Sequence, residues 1–249
     1  MVKDEQELTG GNASESVVRV GQTVRKPWLE NSSTVQSYLG ALRSSGVDVP
    51  EPLGRDADGR HVVEYIEGIL ALDQLPLGQD DLLRVGRMIR HIHDASEEVV
   101  IPNPDDWNML LPAENPNLMC HNDLAPWNLI MGDRWVFIDW DGAGPSTRLW
   151  DLAYAAQSFG MLFAEQPVEN AALRFRAVVD GYEADDALRK ALPAAMAKRT
   201  AAMFNLLKSS NQTGFQPWAD MYINGHGEHW RAAAHYVARH QVVWEQALA

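Results

Sequence analysis

Residues 120–130 read Cys120-His121-Asn122-Asp123-Leu124-Ala125-Pro126-Trp127-Asn128-Leu129-Ile130. This stretch sets one carboxylate, Asp123, and one carboxamide, Asn128, at the two ends of a tight loop. Leu129-Ile130-Met131 and Trp135-Val136-Phe137-Ile138 follow on either side of Gly132-Asp133, a pattern that predicts a hairpin with a Gly-Asp turn. A hairpin returns the chain, so Asp139, eleven residues past Asn128, comes back beside it. Hard oxygen donors grouped in this way suit Mg²⁺, which takes few carboxylates together with phosphate oxygens. Asp123, kept off the metal, is placed to accept a proton from a hydroxyl or to orient that hydroxyl.

Working outward, the two flanks differ in character. Val17-Val18-Arg19-Val20 and Thr23-Val24-Arg25 are short β-prone runs around Gly21-Gln22, a hairpin signal. Ser32, Ser33 and Thr34 offer N-caps for a helix to about Ser44. His61 to Ile66 reads as a further strand after the Asp58-Gly59 turn. From Gly68 the apolar period becomes helical. Leu82, Leu83, Val85, Met88, Ile89 and Ile92 are expected on one face of a helix beginning near Asp80. After a polar, proline-bearing stretch from Ile101 to Pro116 and the central hairpin, helices are predicted over 149–163, 171–182, 187–207 (interrupted or bent at Pro193) and 228–248. The expected architecture is α+β and bilobal, with a β-rich N-lobe over 1–67 and a larger, mainly helical C-lobe over 68–249.

The ordered set H-x-D-x-x-x-x-N, hairpin, Ile138-Asp139-Trp140-Asp141 and then Trp150-Asp151-Leu152-Ala153 resembles the catalytic and metal loops of the aminoglycoside-phosphotransferase family. That family shares the protein-kinase-like fold. It commonly reads H-G-D at the first loop; here Asn122 stands for the glycine, and Asn also visits positive φ. The resemblance implies Asp123 as the catalytic aspartate and Asn128 and Asp139 as metal ligands. It further implies His121 as a structural support and Asp151 as a brace of the catalytic loop. Implied with them are Mg²⁺, ATP (with GTP left open) and a small-molecule hydroxyl acceptor, which describes a small-molecule kinase.

The nucleotide end is less regular. Gly10-Gly11-Asn12-Ala13-Ser14-Glu15-Ser16 precedes the Val17 strand, where a loop could cover phosphates with backbone N–H groups, or simply turn. Kinase-like folds bring a strand-borne cation to the phosphates. Arg25 and Lys26 are both candidates; alternation about Val24 leans to Arg25, residue type to Lys26. The paired helix glutamate of such folds is missing, since residues 33–44 hold no acid, Val35 and Gln36 stand in that region and Glu30 precedes it. Glu64-Tyr65-Ile66 falls where an inter-lobe hinge would offer backbone groups to adenine.

Composition narrows the partners. A net charge of −13 over 249 residues argues against nucleic acid and is compatible with a cationic substrate. Most of that excess lies after Ile66. One cysteine, Cys120, rules out an internal disulfide and a four-cysteine metal site, and fits a reducing cytoplasm. The start MVKDEQELTGG has no apolar segment of a signal peptide, and no run reaches the length of a membrane span. His91 and His93 point to different faces of their helix and read as structural; His226-Gly227-Glu228-His229 fails the H-E-x-x-H spacing. Trp127, Asp141, Asp220 and Glu228 are the candidates for substrate contact, as aromatic and acidic groups suited to a cation. Aminoglycoside-like compounds, choline, homoserine and sugars all remain open as acceptors, as does a non-catalytic binding homologue; the oligomeric state is not encoded in any motif.

Overall fold

Short β-runs separated by turns build the first layer. β1 (Glu5–Glu7), β2 (Val18–Val20), β3 (Thr23–Lys26), β4 (Pro52–Arg55) and β5 (His61–Glu64) form an antiparallel sheet in the order β1-β2-β3-β5-β4. The computed structural model of the protein describes residues 5–8, 17–100, 107 and 109–249. Gly10 and Gly11, expected to cover phosphates, lie outside the described residues. β4 was not expected, because Pro50 and Pro52 read as breakers. Pro52 is the first residue of an edge strand, where its missing N–H leaves no ladder bond unmade.

α1 (Ser32–Ser44) follows β3 and buries Val35, Tyr38, Leu39 and Leu42. This face joins the same core cluster as Leu82, Val85, Ile89 and Ile92 of α2 (Gln79–Ser96), reached after β6 (Ile69–Leu70). The Tyr38 hydroxyl donates to the Met119 carbonyl at 2.9 Å and lies 2.7 Å from Ser96 Oγ. Burial pushes that phenol well above its ordinary pKa, so it stays a neutral donor. Each fully buried leucine contributes roughly 1.5–3 kcal/mol relative to exposure. Helix α1 is thereby fixed to the helical part as well as to the sheet.

The central segment folds as the sequence predicts, with two additions. β7 (Leu118–Cys120) leads into the loop at Asp123; β8 (Leu129–Met131) and β9 (Trp135–Phe137) form the hairpin; β10 (Gly144–Ser146) returns to pair with β7. β7 and β10 escaped the sequence reading because three-residue strands, one of them Gly-Pro-Ser, carry no alternation to detect.

Six further α-helices follow among the described residues: α3 (Arg148–Phe159), α4 (Val168–Tyr182), α5 (Asp186–Thr213), the one-turn α6 (Trp218–Met221), α7 (Gly227–Arg239) and α8 (Gln241–Leu248). α5 runs through Pro193 without interruption. Pro193 sits eight residues in and lacks one donor, while Leu192, Ala195 and Met196 around it are buried and hold the helix against its neighbours. The single helix expected over 228–248 is divided at His240, which leaves helical geometry at φ −103°, ψ 19° with no Gly or Pro to announce it. α2 and α4 touch backbone to backbone. A methyl group on Gly86 would meet the Val178 carbonyl oxygen, and one on Gly181 the Leu83 carbonyl oxygen. The result is the expected α+β class: a small antiparallel sheet beside a larger helical part.

Candidate active site

The loop after β7 is held in an unusual backbone shape. Asn122 is left-handed at φ 64°, and Asp139 is left-handed at φ 58°. Such conformations in non-glycine residues cluster where surrounding contacts over-determine the chain. His121 Nδ1 accepts from the Asp123 amide at 3.3 Å, so its Nε2–H donates to the Ile138 carbonyl at 3.0 Å. The ring also packs 4.4 Å from the Trp140 ring. His121 therefore ties the Asp123 loop to the end of the hairpin.

The hairpin register does what the sequence predicts. Leu129 opposes Phe137, and the Ile138 amide donates to the Asn128 carbonyl at 2.8 Å. Asn128 and Asp139 are consequently brought to the same end of the hairpin. The Asn128 carboxamide Nδ2 donates to the Asp123 carboxylate at 2.7 Å and to the Asp123 carbonyl at 2.9 Å. Both acceptors fix the orientation of the amide, which leaves Asn128 Oδ1 as an oxygen donor for a cation. The Asp139 carboxylate is exposed on 43% of its side-chain surface and is open to a ligand. An amide oxygen and an exposed carboxylate fit a hard cation such as Mg²⁺, with phosphate oxygens and water completing six ligands.

The strand cation at this site is Lys26, a correction to the lean toward Arg25. Lys26 Nζ lies 3.0 Å from Asp139 Oδ1 and 2.7 Å from Asp141 Oδ1. Arg25, on the opposite face of β3, pairs with Asp56 at 3.1 Å. Alternation was sound, but Val24 shares its face with Lys26, and that face looks inward. The acid missing from α1 is supplied here by Asp139 and Asp141. Gln36, where a helix acid was sought, instead donates to the Val62 carbonyl at 2.9 Å and accepts from the Gly54 amide at 2.9 Å, anchoring α1 to the sheet.

Charge tuning follows from this packing. Burial opposes the Lys26 charge, yet the Asp139 and Asp141 carboxylates outweigh it and hold its pKa above the ordinary value. Burial pushes the Asp139 carboxyl upward, but the Lys26 ammonium and its hydrogen bond pull it below the usual range. Asp141 goes the other way, raised by burial and by the neighbouring Asp139 charge despite Lys26. Burial also raises Asp123, against the pull of His121, Tyr154 and Asn128. A carboxylate with a raised pKa is a stronger acceptor for a hydroxyl proton.

A buried relay supports the loop from below. Asp151 Oδ1 accepts from the Asn122 amide at 2.9 Å, and its Oδ2 lies 3.0 Å from His93 Nε2. His93 Nδ1 is 2.9 Å from the Tyr182 hydroxyl, which accepts from Arg148 at 3.0 Å. Tyr182, pushed up to about 12 by burial, donates to His93 Nδ1, and His93 donates to Asp151 from Nε2. His93, Cys120 and Asp151 group their ligand atoms within 4.8 Å, but both imidazole nitrogens are already engaged. Burial drives the Cys120 thiol well above its ordinary pKa, which removes it as a nucleophile.

The other expected residues scatter. Ile66, just past β5, is buried with Ile130 and Val136 of the β8–β9 hairpin, against Leu70 and Ile138. Among the described residues its amide and carbonyl enter no backbone hydrogen bond. The Glu64 amide, by contrast, is engaged by the Glu51 carbonyl at 2.9 Å and its carboxylate by Arg134 at 2.6 Å, so it offers neither to a nucleotide. Trp127 lies in the turn between Asp123 and Asn128, its ring 6.3 Å from the Tyr154 ring. Asp141 pairs with Lys26 at 2.7 Å. Asp220 is exposed and accepts from Gln216 at 2.9 Å, and exposed Glu228 pairs with Arg231 at 2.6 Å; neither joins this aromatic cluster.

Sequence reasoning missed Tyr154. The Tyr154 hydroxyl faces Asp123, and its ring stacks on Trp230 of α7 at 6.0 Å and 14°. Tyr154 lies three residues past Asp151, hence on the same face of α3, a spacing that could have revealed it.

The sequence model of the phosphotransferase enzyme family matches residues 104–189. No curated protein matches the chain in sequence. Among solved structures, a choline/ethanolamine kinase family protein from Mesorhizobium loti is 19% identical with TM-score 0.60, over 98% of this chain and 93% of that one. The microcompartment-associated aminopropanol kinase is 17% identical with TM-score 0.64, over 99% and 94%. Amicoumacin kinase, in complex with AMP-PNP, Ca²⁺ and Ami, is 13% identical with TM-score 0.64, over 96% and 89%. Residues 104–189 thus match the phosphotransferase enzyme family, and the fold over nearly the whole length is similar to that of these small-molecule kinases.

Proposed function

We propose that the chain is an ATP- and Mg²⁺-dependent kinase that phosphorylates a hydroxyl of a small cationic amino alcohol. The observation that carries this reading is the convergence of Asp123, Asn128, Asp139 and Lys26. Phosphoryl transfer needs positioning and charge neutralisation more than covalent help from the protein. Residues 1–67 would hold the nucleotide, and 68–249 the acceptor and the catalytic loop. Ile66, Ile130 and Ile138 offer an apolar face to the adenine, and the free Ile66 backbone groups its edge. Lys26 reaches the phosphates from β3. Asn128 Oδ1 and Asp139 would hold Mg²⁺, which neutralises phosphate charge when bound. Asp123, oriented by Asn128 and Tyr154, accepts the hydroxyl proton or aims the hydroxyl in line. His121 and Asp151 keep the loop in its left-handed shape.

The acceptor class is argued from the surroundings of Asp123. Tyr154 and Trp230 stack at the base of one cluster, where the Arg199 guanidinium lies 4.3 Å over the Tyr154 ring, while the partly buried Trp127, Trp218 and Tyr222 around them carry ring faces suited to a substituted ammonium. The kinases of similar fold named for choline, ethanolamine and aminopropanol support the same choice. A steady-state comparison tests it: amino alcohols are expected to exceed neutral polyols of similar size by at least about tenfold in kcat/KM, as cation–π recognition would give. Equal turnover of the two classes would overturn the cationic acceptor while leaving the kinase reading standing.

A further inference from the structure

Asn122 makes contacts that a glycine could not. A glycine would keep the backbone amide bond to Asp151 and the carbonyl's bond from the buried Arg199 at 3.2 Å, but not the side-chain contacts. The Asn122 side-chain Nδ2 donates to the Gly142 carbonyl at 3.1 Å and the Gly144 carbonyl at 3.2 Å, with the Cys120 carbonyl at 3.4 Å. All three side-chain partners are carbonyl oxygens, so the orientation of the carboxamide is dictated by its surroundings. Gly142 and Gly144 follow Asp139 and Asp141 within five residues, on the segment that closes against β7. A methyl on Gly142 would lie 3.5 Å from the His121 carbonyl oxygen and 3.9 Å from Asp123 Cβ, so the two loops pack face to face. Asn122 is therefore the point where one side chain joins the loop of Asp123 to the loop of Asp139.

We propose that Asn122 is a positioning residue that fixes the distance between the Asp123 loop and the Asp139 metal loop. The inference rests on the phosphotransferase reading above and deepens it. A role limited to tolerating a left-handed backbone makes the opposite forecast, because glycine adopts φ 64° with less strain than asparagine.

Mn²⁺ binding in the presence of a non-hydrolysable ATP analogue, followed by electron paramagnetic resonance, separates the two. Asn122→Gly keeps the backbone shape and removes the tie. Its Mn²⁺ dissociation constant is expected to rise about tenfold, with kcat falling by a similar factor, as the loss of two hydrogen bonds would give. An Asn122→Gly protein that binds Mn²⁺ within about twofold of wild type would overturn the proposal. Asn122→Asp tests it a second way should the glycine variant fail to fold. It preserves the shape but turns a carboxylate toward three carbonyls, so wild-type Mn²⁺ affinity in that variant would equally overturn it. Failure of the wild type itself to bind Mn²⁺ with the analogue would instead refute the phosphotransferase reading on which the inference stands.

Discussion

Lys26 is 7% exposed and carries its charge between two carboxylates that arrive from more than a hundred residues away. Removing a partner from such a cluster leaves like charges facing each other in a poorly hydrated place. Lys26→Met is expected to raise the KM for ATP and lower kcat/KM by about 10²-fold or more, the scale of a lost phosphate clamp. Arg25→Met, facing Asp56, is expected to stay within about threefold. Steady-state kinetics with varied ATP checks both, and reversed effects would restore Arg25 as the phosphate cation. Beside Lys26 in the ladder stands His61, buried, with both ring nitrogens unpartnered among the described residues. Burial, then the Lys26 charge, lowers its pKa to about 4. The unfolded imidazole takes its proton near 6.5 and the folded one only near 4, so the unfolded state binds more protons between those values. Stability is expected to fall as pH drops across that window, by up to about 3 kcal/mol. Urea titrations of His61→Phe should show a shallower loss there than wild type; an unchanged slope would remove His61 as the cause. At this scale the sequence was informative where chemistry and order coincide. Asp123, Asn128 and Asp139 were legible because loop, hairpin and spacing are local. The choice between Lys26 and Arg25 was not, because alternation gives two faces without saying which one the rest of the protein covers.

Among the elements, the crossing of α2 and α4 matters most to the site. α2 carries His93 and α4 carries Tyr182, and the two helices must approach closely for the Tyr182–His93–Asp151 relay to reach the Asn122 amide. Gly86 and Gly181 permit that approach, each facing a backbone carbonyl of the other helix. Gly181→Ala is expected to destabilise the protein by about 1–3 kcal/mol through overpacking, read as a lower melting temperature. An unaltered melting temperature would show that the helices separate without penalty. The helical period of α2 was visible in Leu82, Val85, Ile89 and Ile92, but its glycine contact was not, since Gly86 alone reads as a weak helix former. β7 and β10 were invisible for the complementary reason: each is fixed by its partner strand and hardly at all by its own residues. α5 shows packing overriding propensity, with a buried Pro193 carried inside a 28-residue helix.

At the scale of the whole molecule, the sheet and the helical part meet along the line from Lys26 to Asp139 and Asp141, reinforced where Asn31 donates to the Asp141 carbonyl at 2.9 Å. The core cluster crosses that line as well, because α1 packs with α2 and the loop residue Leu124. Among the described residues, no helix is long and apolar enough to cross a membrane. The division into a strand-rich and a helix-rich part was legible from the change of period after Gly68. Their mutual contact was not, because it depends on side chains such as Tyr38 and Lys26 that meet residues far along the chain. The central claim is that this junction transfers a phosphoryl group to a small hydroxyl compound. Phosphorus NMR of the protein with Mg²⁺-ATP and a panel of amino alcohols tests it most directly. ADP is expected together with a new phosphomonoester signal, formed about 10²–10⁴-fold more slowly by Asp123→Asn. A phosphomonoester formed at the wild-type rate by Asp123→Asn, or none formed by the wild type across the panel, would contradict it.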